Sequence, residues 1–156
     1  MKNFYTRVFV LCSFVISSSI RAQQVSLFRE PDKNLPKIFQ QLPDTLIFQP
    51  EKFIELLERK IGEQVQLSIS NDARMQMNGQ LVSSVSKYDD QIQSVVFRTD
   101  TEEPMLIIIS KIRSEKGDLT YRGYIRGKSS ADLYVLTNVK DGWRWVKKSF
   151  YDVINE

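Results

Sequence analysis

The sequence contains no histidine and a single cysteine, Cys12. A Ser-His-Asp triad, a Cys-His pair, a histidine general base and the usual Cys/His zinc sites all need these residues. None of them can therefore be built within this chain. Any catalysis would have to use carboxylates, lysine, tyrosine, serine or a metal ion held by carboxylates.

Long apolar runs are also missing. The apolar run Val8–Ile16 is less than half the length of about 20 residues that a transmembrane helix needs. Lys2 and Arg7 precede it, and Ser17–Ser19 and then Ile20-Arg21-Ala22 follow it, which is the layout of a secretory signal with a cleavage site after Ala22. We expect residues 1–22 to be cleaved and the mature chain to be exported, periplasmic or extracellular, without a membrane span. The alternative is an uncleaved anchor.

The mature chain lacks an excess of either charge. The whole sequence has 22 Lys+Arg and 19 Asp+Glu, but Lys2, Arg7 and Arg21 belong to the signal and no acid does. The mature chain then carries 19 of each sign, and we expect no nucleic-acid partner because such domains need a basic surface. Its length of about 134 residues suits one ordinary domain.

Apolar periodicity divides the mature chain. Residues 23–48 are predicted to be an irregular lead-in with a short helix after Pro36. Residues 49–156 are predicted to be a single α+β domain that begins with a helix from Pro50 to Gly62. The apolar face of this helix is formed by Phe53, Ile54, Leu57 and Ile61, with Leu56 beside it.

From Gln64 onward the apolar period changes from 3.6 to 2, which is typical of strands. Asp141-Gly142 predicts a hairpin turn, and Asn78-Gly79 predicts either a second hairpin or a bulge within one long strand. No helical pattern separates the strands. The predicted fold is α+β, with the helix packed on a five- to seven-strand antiparallel meander that is either open or curved towards a barrel.

The stretch Gly123–Ser130 ends in Gly-Lys-Ser, as a phosphate-binding loop does. However, only three residues separate Gly123 from Gly127, one fewer than that loop requires, and a strand pattern follows where a helix is needed. We therefore expect no nucleotide and no other cofactor, and we interpret residues 128–130 as a turn.

Acidic residues offer one route to catalysis. Asp89, Asp90, Glu102 and Glu103 could form the carboxylate pair of a hydrolase if the fold brought them together. Asp100 lies near the last two and could join them in gripping Ca²⁺, but an acidic turn in water explains the cluster equally well. We predict no metal site.

A candidate binding surface depends on the turn at Glu115–Asp118. With a two- or four-residue loop there, Lys111 lies opposite Arg122 on the face away from the helix. The expected basic patch consists of Lys111, Arg113, Arg122 and Arg126, bordered by Tyr124, Trp143 and Trp145. A three-residue loop would shift the pairing by one residue and scatter the charges. The aromatic residues could instead cover the second side of the sheet or pack on residues 23–48.

These observations favour an exported, non-enzymatic binding or accessory domain. The expected partner is an anionic ligand, a glycan or a protein surface. Two alternatives remain: a carboxylate-based hydrolase, and a carrier of a small apolar ligand if the strands curl around a cavity.

Overall fold

A computed structural model describes residues 34–154 of the chain. The predicted signal at residues 1–22 and the lead-in up to residue 33 lie outside this part. The elements are β1 (Thr45–Ile47), α1 (Pro50–Leu57), β2 (Gln64–Ser68), a 3₁₀ turn (Ala73–Met75), β3 (Gln76–Lys87), β4 (Ile92–Thr99), β5 (Met105–Arg113), β6 (Leu119–Gly127), β7 (Asp132–Val139), β8 (Gly142–Ser149) and α2 (Phe150–Ile154). Between residues 34 and 154 no helix is long and apolar enough to cross a membrane.

The strands form one antiparallel sheet that curls into a half-barrel. Its order is β1-β8-β7-β6-β5-β4-β3-β2, so β2 to β8 run as a meander. The predicted antiparallel meander is confirmed in this coarse form, but the sheet has eight strands rather than five to seven. The additional strand is β1, which lies in the segment expected to be irregular and pairs Leu46 with Trp145 of β8.

Helix α1 covers the sheet with Phe53 and Leu56, which are both 1% exposed. It ends at Leu57 and does not continue to Gly62 as the apolar spacing predicts. Ile61 is consequently exposed. The chain turns away because the N–H of Gly62 donates to the Leu81 carbonyl at 2.8 Å, which ties the loop to β3.

The segment before β1 contains no helix within its described part, from residue 34. A single turn forms instead, closed by the Leu42 N–H and the Phe39 carbonyl at 3.1 Å. Pro43, which has no N–H, follows this turn. The buried carboxylate of Asp132 in β7 accepts the N–H groups of Ile38 at 2.9 Å and Phe39 at 3.0 Å. This clamp fixes the segment on the sheet.

Asn78-Gly79 is neither a hairpin nor the site of a bulge. Both residues lie inside the long strand β3, and the register shift falls further along, between Leu81 and Ser83. A Cβ on Gly79 would lie 2.2 Å from the Arg98 carbonyl oxygen of β4. Glycine is needed here because the two backbones approach closely.

One face of the sheet, which we call the core face, is packed with large side chains. Tyr134 and Trp145 are fully buried, and the ring centroid of Phe48 lies 5.7 Å from that of Trp145. The Tyr134 hydroxyl donates to the Pro43 carbonyl at 2.6 Å. Burial raises the pKa of Tyr134 to about 12, helped by the negative charge of Asp44. The core face therefore holds the chain on either side of β1.

Candidate functional site

The loop between β5 and β6 decides which residues share a face. Ser114 pairs with Asp118 through its N–H at 2.9 Å, and the three residues 115–117 form the loop. Gly117 occupies the left-handed region at φ +89°, as the glycine of a three-residue hairpin loop does. Lys111 therefore lies opposite Tyr121, and Arg122 lies opposite Ser110. The expected register is wrong by one residue.

This register divides the expected basic patch. Lys111 and Arg113 share the core face with Tyr121, since alternate residues of a strand point to opposite sides. Arg122, Tyr124 and Arg126 lie on the opposite side, which we call the outer face. The four cations do not form one patch.

Trp143 and Trp145 also lie on the core face. Val139 pairs with Gly142, so the two-residue loop is Lys140-Asp141 and Leu136 lies opposite Trp145, two residues from the register that a loop at Asp141-Gly142 predicts. A shift of two residues leaves each side chain on the same face. Trp145 is fully buried, and the ring centroid of Trp143 lies 5.7 Å from that of Tyr121. The two tryptophans therefore pack inside the fold and do not border Tyr124.

A groove crosses the outer face where β4, β5 and β6 reach the Gly127 end of the sheet. It has a volume of about 470 Å³, within the range of small-molecule sites. We call it the outer groove. It is lined by Arg98, Pro104, Leu106, Tyr124, Arg126, Gly127 and Lys128.

Cross-strand pairing aligns the lining residues. Arg98 lies opposite Leu106, and Leu106 lies opposite Arg126, so two cations flank one apolar side chain. Their Cα atoms are two strand spacings apart, or about 10 Å. The neighbouring row runs through Ile108 and Tyr124. Leu106 is 40% exposed and Tyr124 is 39% exposed, so the groove presents apolar surface to solvent.

The three cations of the groove, Arg98, Arg126 and Lys128, form no ion pair with any residue in the described part of the chain. Arg98 donates a long hydrogen bond to Gln80 at 3.4 Å. The guanidinium carbon of Arg126 lies 3.8 Å from the ring centroid of Phe150 in α2. These charges are available to an external anion.

In two other surface depressions the cations are paired with acidic residues. One lies between α1 and β2 and contains Lys52 and Glu55, which pair at 2.8 Å. The other contains Arg74, whose guanidinium contacts Asp72 at 2.6 Å. The hydrogen bond from Arg74 lowers the pKa of Asp72 to about 2. Because these cations already have anionic partners, neither depression has the unpaired positive charge of the outer groove.

The acidic residues do not converge. Asp89 and Asp90 lie before β4 and Glu102 and Glu103 after it, and the eight residues of β4 separate them by about 26 Å. Within residues 34–154 no three acidic, cysteine or histidine side chains are grouped closely enough to hold a metal ion. Asp89 and Asp90 therefore cannot form a carboxylate pair with Glu102 or Glu103.

Of the residues that line the groove, only Tyr124 and Arg126 belong to the expected site; the others are Arg98, Pro104, Leu106, Gly127 and Lys128. The face on which Leu106 lies could not be assigned from the sequence, because Leu106 and the following Ile107-Ile108-Ile109 form a continuous apolar run without alternation. The sequence contained one signal for the observed register of β5 and β6. Gly117 stands at the third position of the loop, and glycine favours the left-handed conformation that a three-residue loop needs there. Lys128 could be assigned to the groove only from the structure of the sheet, because the face on which a turn residue lies depends on how its flanking strands are placed.

Neither the protein-family models, the curated proteins nor the solved structures include one that matches this chain.

Proposed function

We propose that the protein is an exported, non-enzymatic binding protein that holds a negatively charged ligand in the outer groove. One observation carries the proposal: Arg98, Arg126 and Lys128 line one groove without an ion-pair partner in the part of the chain described. Like charges gathered in a groove raise the local positive potential, which attracts an anion and is relieved when it binds. Exposed Leu106 and Tyr124 add apolar contact beside the charges.

Export is supported by the order of charged, apolar and small residues in the first 22 positions. N-terminal sequencing of protein recovered outside the cytoplasm tests it. We expect the mature chain to begin at Gln23. Recovery only from membranes, with an N-terminus at Met1, would contradict export.

The two alternatives have less support. A hydrolase built on Asp89, Asp90, Glu102 and Glu103 would need these groups together, and β4 holds the two pairs apart. A carrier would need space within the curve of the sheet. That space is occupied by side chains such as Tyr134 and Trp145, which are 0% exposed. No specific observation favours a second function.

Binding to arrays of anionic and neutral glycans and lipids tests the proposed function. Mature wild-type chain is compared with an Arg98→Ala/Arg126→Ala/Lys128→Ala variant. The matched control is Lys111→Ala/Arg113→Ala/Arg122→Ala, which removes the same charge from outside the groove.

We expect wild type and control to hold an anionic ligand and the groove variant to lose it. Binding should weaken as salt rises, because exposed charges are screened over about 10 Å at 0.1 M ionic strength. Equal binding by all three proteins, or binding of neutral probes only, would refute the proposed function.

A further inference from the structure

We infer that the ligand of the outer groove is a single-chain amphiphile with a phosphate monoester head. The head lies against Arg126, and the alkyl chain lies over Leu106 and Tyr124. The inference rests on the proposed function, and it names the class of ligand and the residue that orients its head.

Charge balance favours a phosphate monoester over a carboxylate. The groove lining holds three cations, Arg98, Arg126 and Lys128, and no acid. A carboxylate would neutralise one of these charges, whereas a phosphate monoester carries about −1.5 to −2 at neutral pH. The doubly charged head therefore leaves the smaller residual charge.

Among residues 34–154, Arg126 is held by stacking on a ring and by no hydrogen bond from its side chain. Its guanidinium carbon lies 3.8 Å from the Phe150 ring centroid, and its Nε is buried without a hydrogen-bond partner among the described residues. Contact with a ring face fixes the plane of the guanidinium. The two terminal nitrogens can then donate in parallel to two oxygens of one phosphate group. Phe150 is thus a positioning residue for the head.

The apolar part of the ligand follows from the next row of the sheet. Leu106 lies directly opposite Arg126, and Tyr124 is two residues from Arg126 on the same face. Beyond Tyr124 the row continues through half-buried Val135 and Val146. A chain attached to a head at Arg126 would cover exposed apolar surface that water otherwise contacts, which is favourable.

Calorimetric titration of the mature protein with short, monomeric probes tests this inference. The probes are octyl phosphate, octanoate, octyl glucoside and inorganic phosphate, and vesicles containing phosphatidic acid form a separate arm. We expect octyl phosphate to bind at least about tenfold more tightly than each other soluble probe, since hydrogen bonds to charged groups and buried methylenes each contribute a factor of this order.

Two variants separate positioning from folding. Arg126→Lys keeps the charge but loses the two parallel guanidinium donors, and Phe150→Leu keeps an apolar side chain but loses the ring face. Each should weaken octyl phosphate about threefold to thirtyfold and reduce its preference over octanoate, leaving octyl glucoside unchanged. Arg122→Ala, on the same strand and face but outside the groove, should match wild type.

The inference fails if octyl phosphate binds no better than octanoate or inorganic phosphate, or if vesicles bind and octyl phosphate does not. It also fails if Phe150→Leu retains the wild-type preference. If one of these results is obtained but the Arg98/Arg126/Lys128 triple variant loses binding of a different anionic ligand, only the inference is refuted and the proposed function remains. If that variant binds every anionic probe as wild type does, both are refuted.

Discussion

Replacing Asp132 by alanine should detach the segment before β1 from the sheet. The Asp132 carboxylate is 4% exposed and accepts the N–H groups of Ile38 and Phe39 at 2.9 and 3.0 Å. It also accepts the Ser130 hydroxyl at 2.6 Å. Alanine removes all three acceptor contacts without supplying another.

The size of the effect follows from the donors left behind. A buried donor without a partner costs about 1–3 kcal/mol. Phe39 is 2% exposed, so water would not readily replace the carboxylate there, whereas Ile38 is half-buried. We expect Asp132→Ala to reduce the free energy of unfolding by about 3 kcal/mol. With a urea slope of about 1.5 kcal/mol per molar, the midpoint falls by about 2 M.

Urea unfolding followed by tryptophan fluorescence measures the loss, and hydrogen exchange locates it. The amides of Ile38 and Phe39 should exchange faster in Asp132→Ala than in wild type. Ser130→Ala is the matched control, because it removes one donor and leaves both backbone bonds; we expect about 1 kcal/mol. The reasoning is wrong if Asp132→Ala costs no more than this control, or if the two amides keep their protection.

Four further substitutions have defined outcomes. Gly79→Ala should cost about 3 kcal/mol in urea unfolding because its Cβ would lie 2.2 Å from the Arg98 carbonyl oxygen. Gly117→Ala, which meets nothing within 4 Å, should cost only the left-handed strain of about 1 kcal/mol, and equal losses would contradict this. The folded pKa of Tyr134, about 12, exceeds the unfolded value of about 10. Its stabilising contribution should therefore be complete below pH 10 and be lost towards pH 12, and Tyr134→Phe should remove this dependence. The pKa of Asp72 is lowered to about 2, so its contribution should be present above pH 4 and be lost towards pH 2. In Asp72→Asn that acid-induced loss should be smaller, and an unchanged unfolding curve would count against the Arg74 contact.

The hairpin between β7 and β8 could be predicted from the sequence. Asp141-Gly142 predicts a tight hairpin between β7 and β8, and the structure has one, because Asp-Gly is a local turn signal. The loop is Lys140-Asp141, however, so the register differs by two residues from a loop at Asp141-Gly142, which leaves every side chain on its predicted face.

The register of β5 and β6 could not be predicted in the same way. Glu115–Asp118 permits loops of different length, and the apolar run around Ile108 fits either face. A shift of one residue moves every side chain of a strand to the opposite face. The expected patch of Lys111 and Arg122 was therefore lost through a single difference in loop length.

Sequence alone determined that a chain without histidine cannot build a Ser-His-Asp triad or a Cys-His pair, and that its second half alternates as antiparallel strands. Both follow from residue identity and short-range periodicity. Only the tertiary structure decided that Leu46 belongs to a strand, that Trp145 is buried, and that Arg98 and Arg126 flank Leu106. These placements depend on which backbones pair across the sheet, and pairing between distant segments leaves no mark in the local sequence.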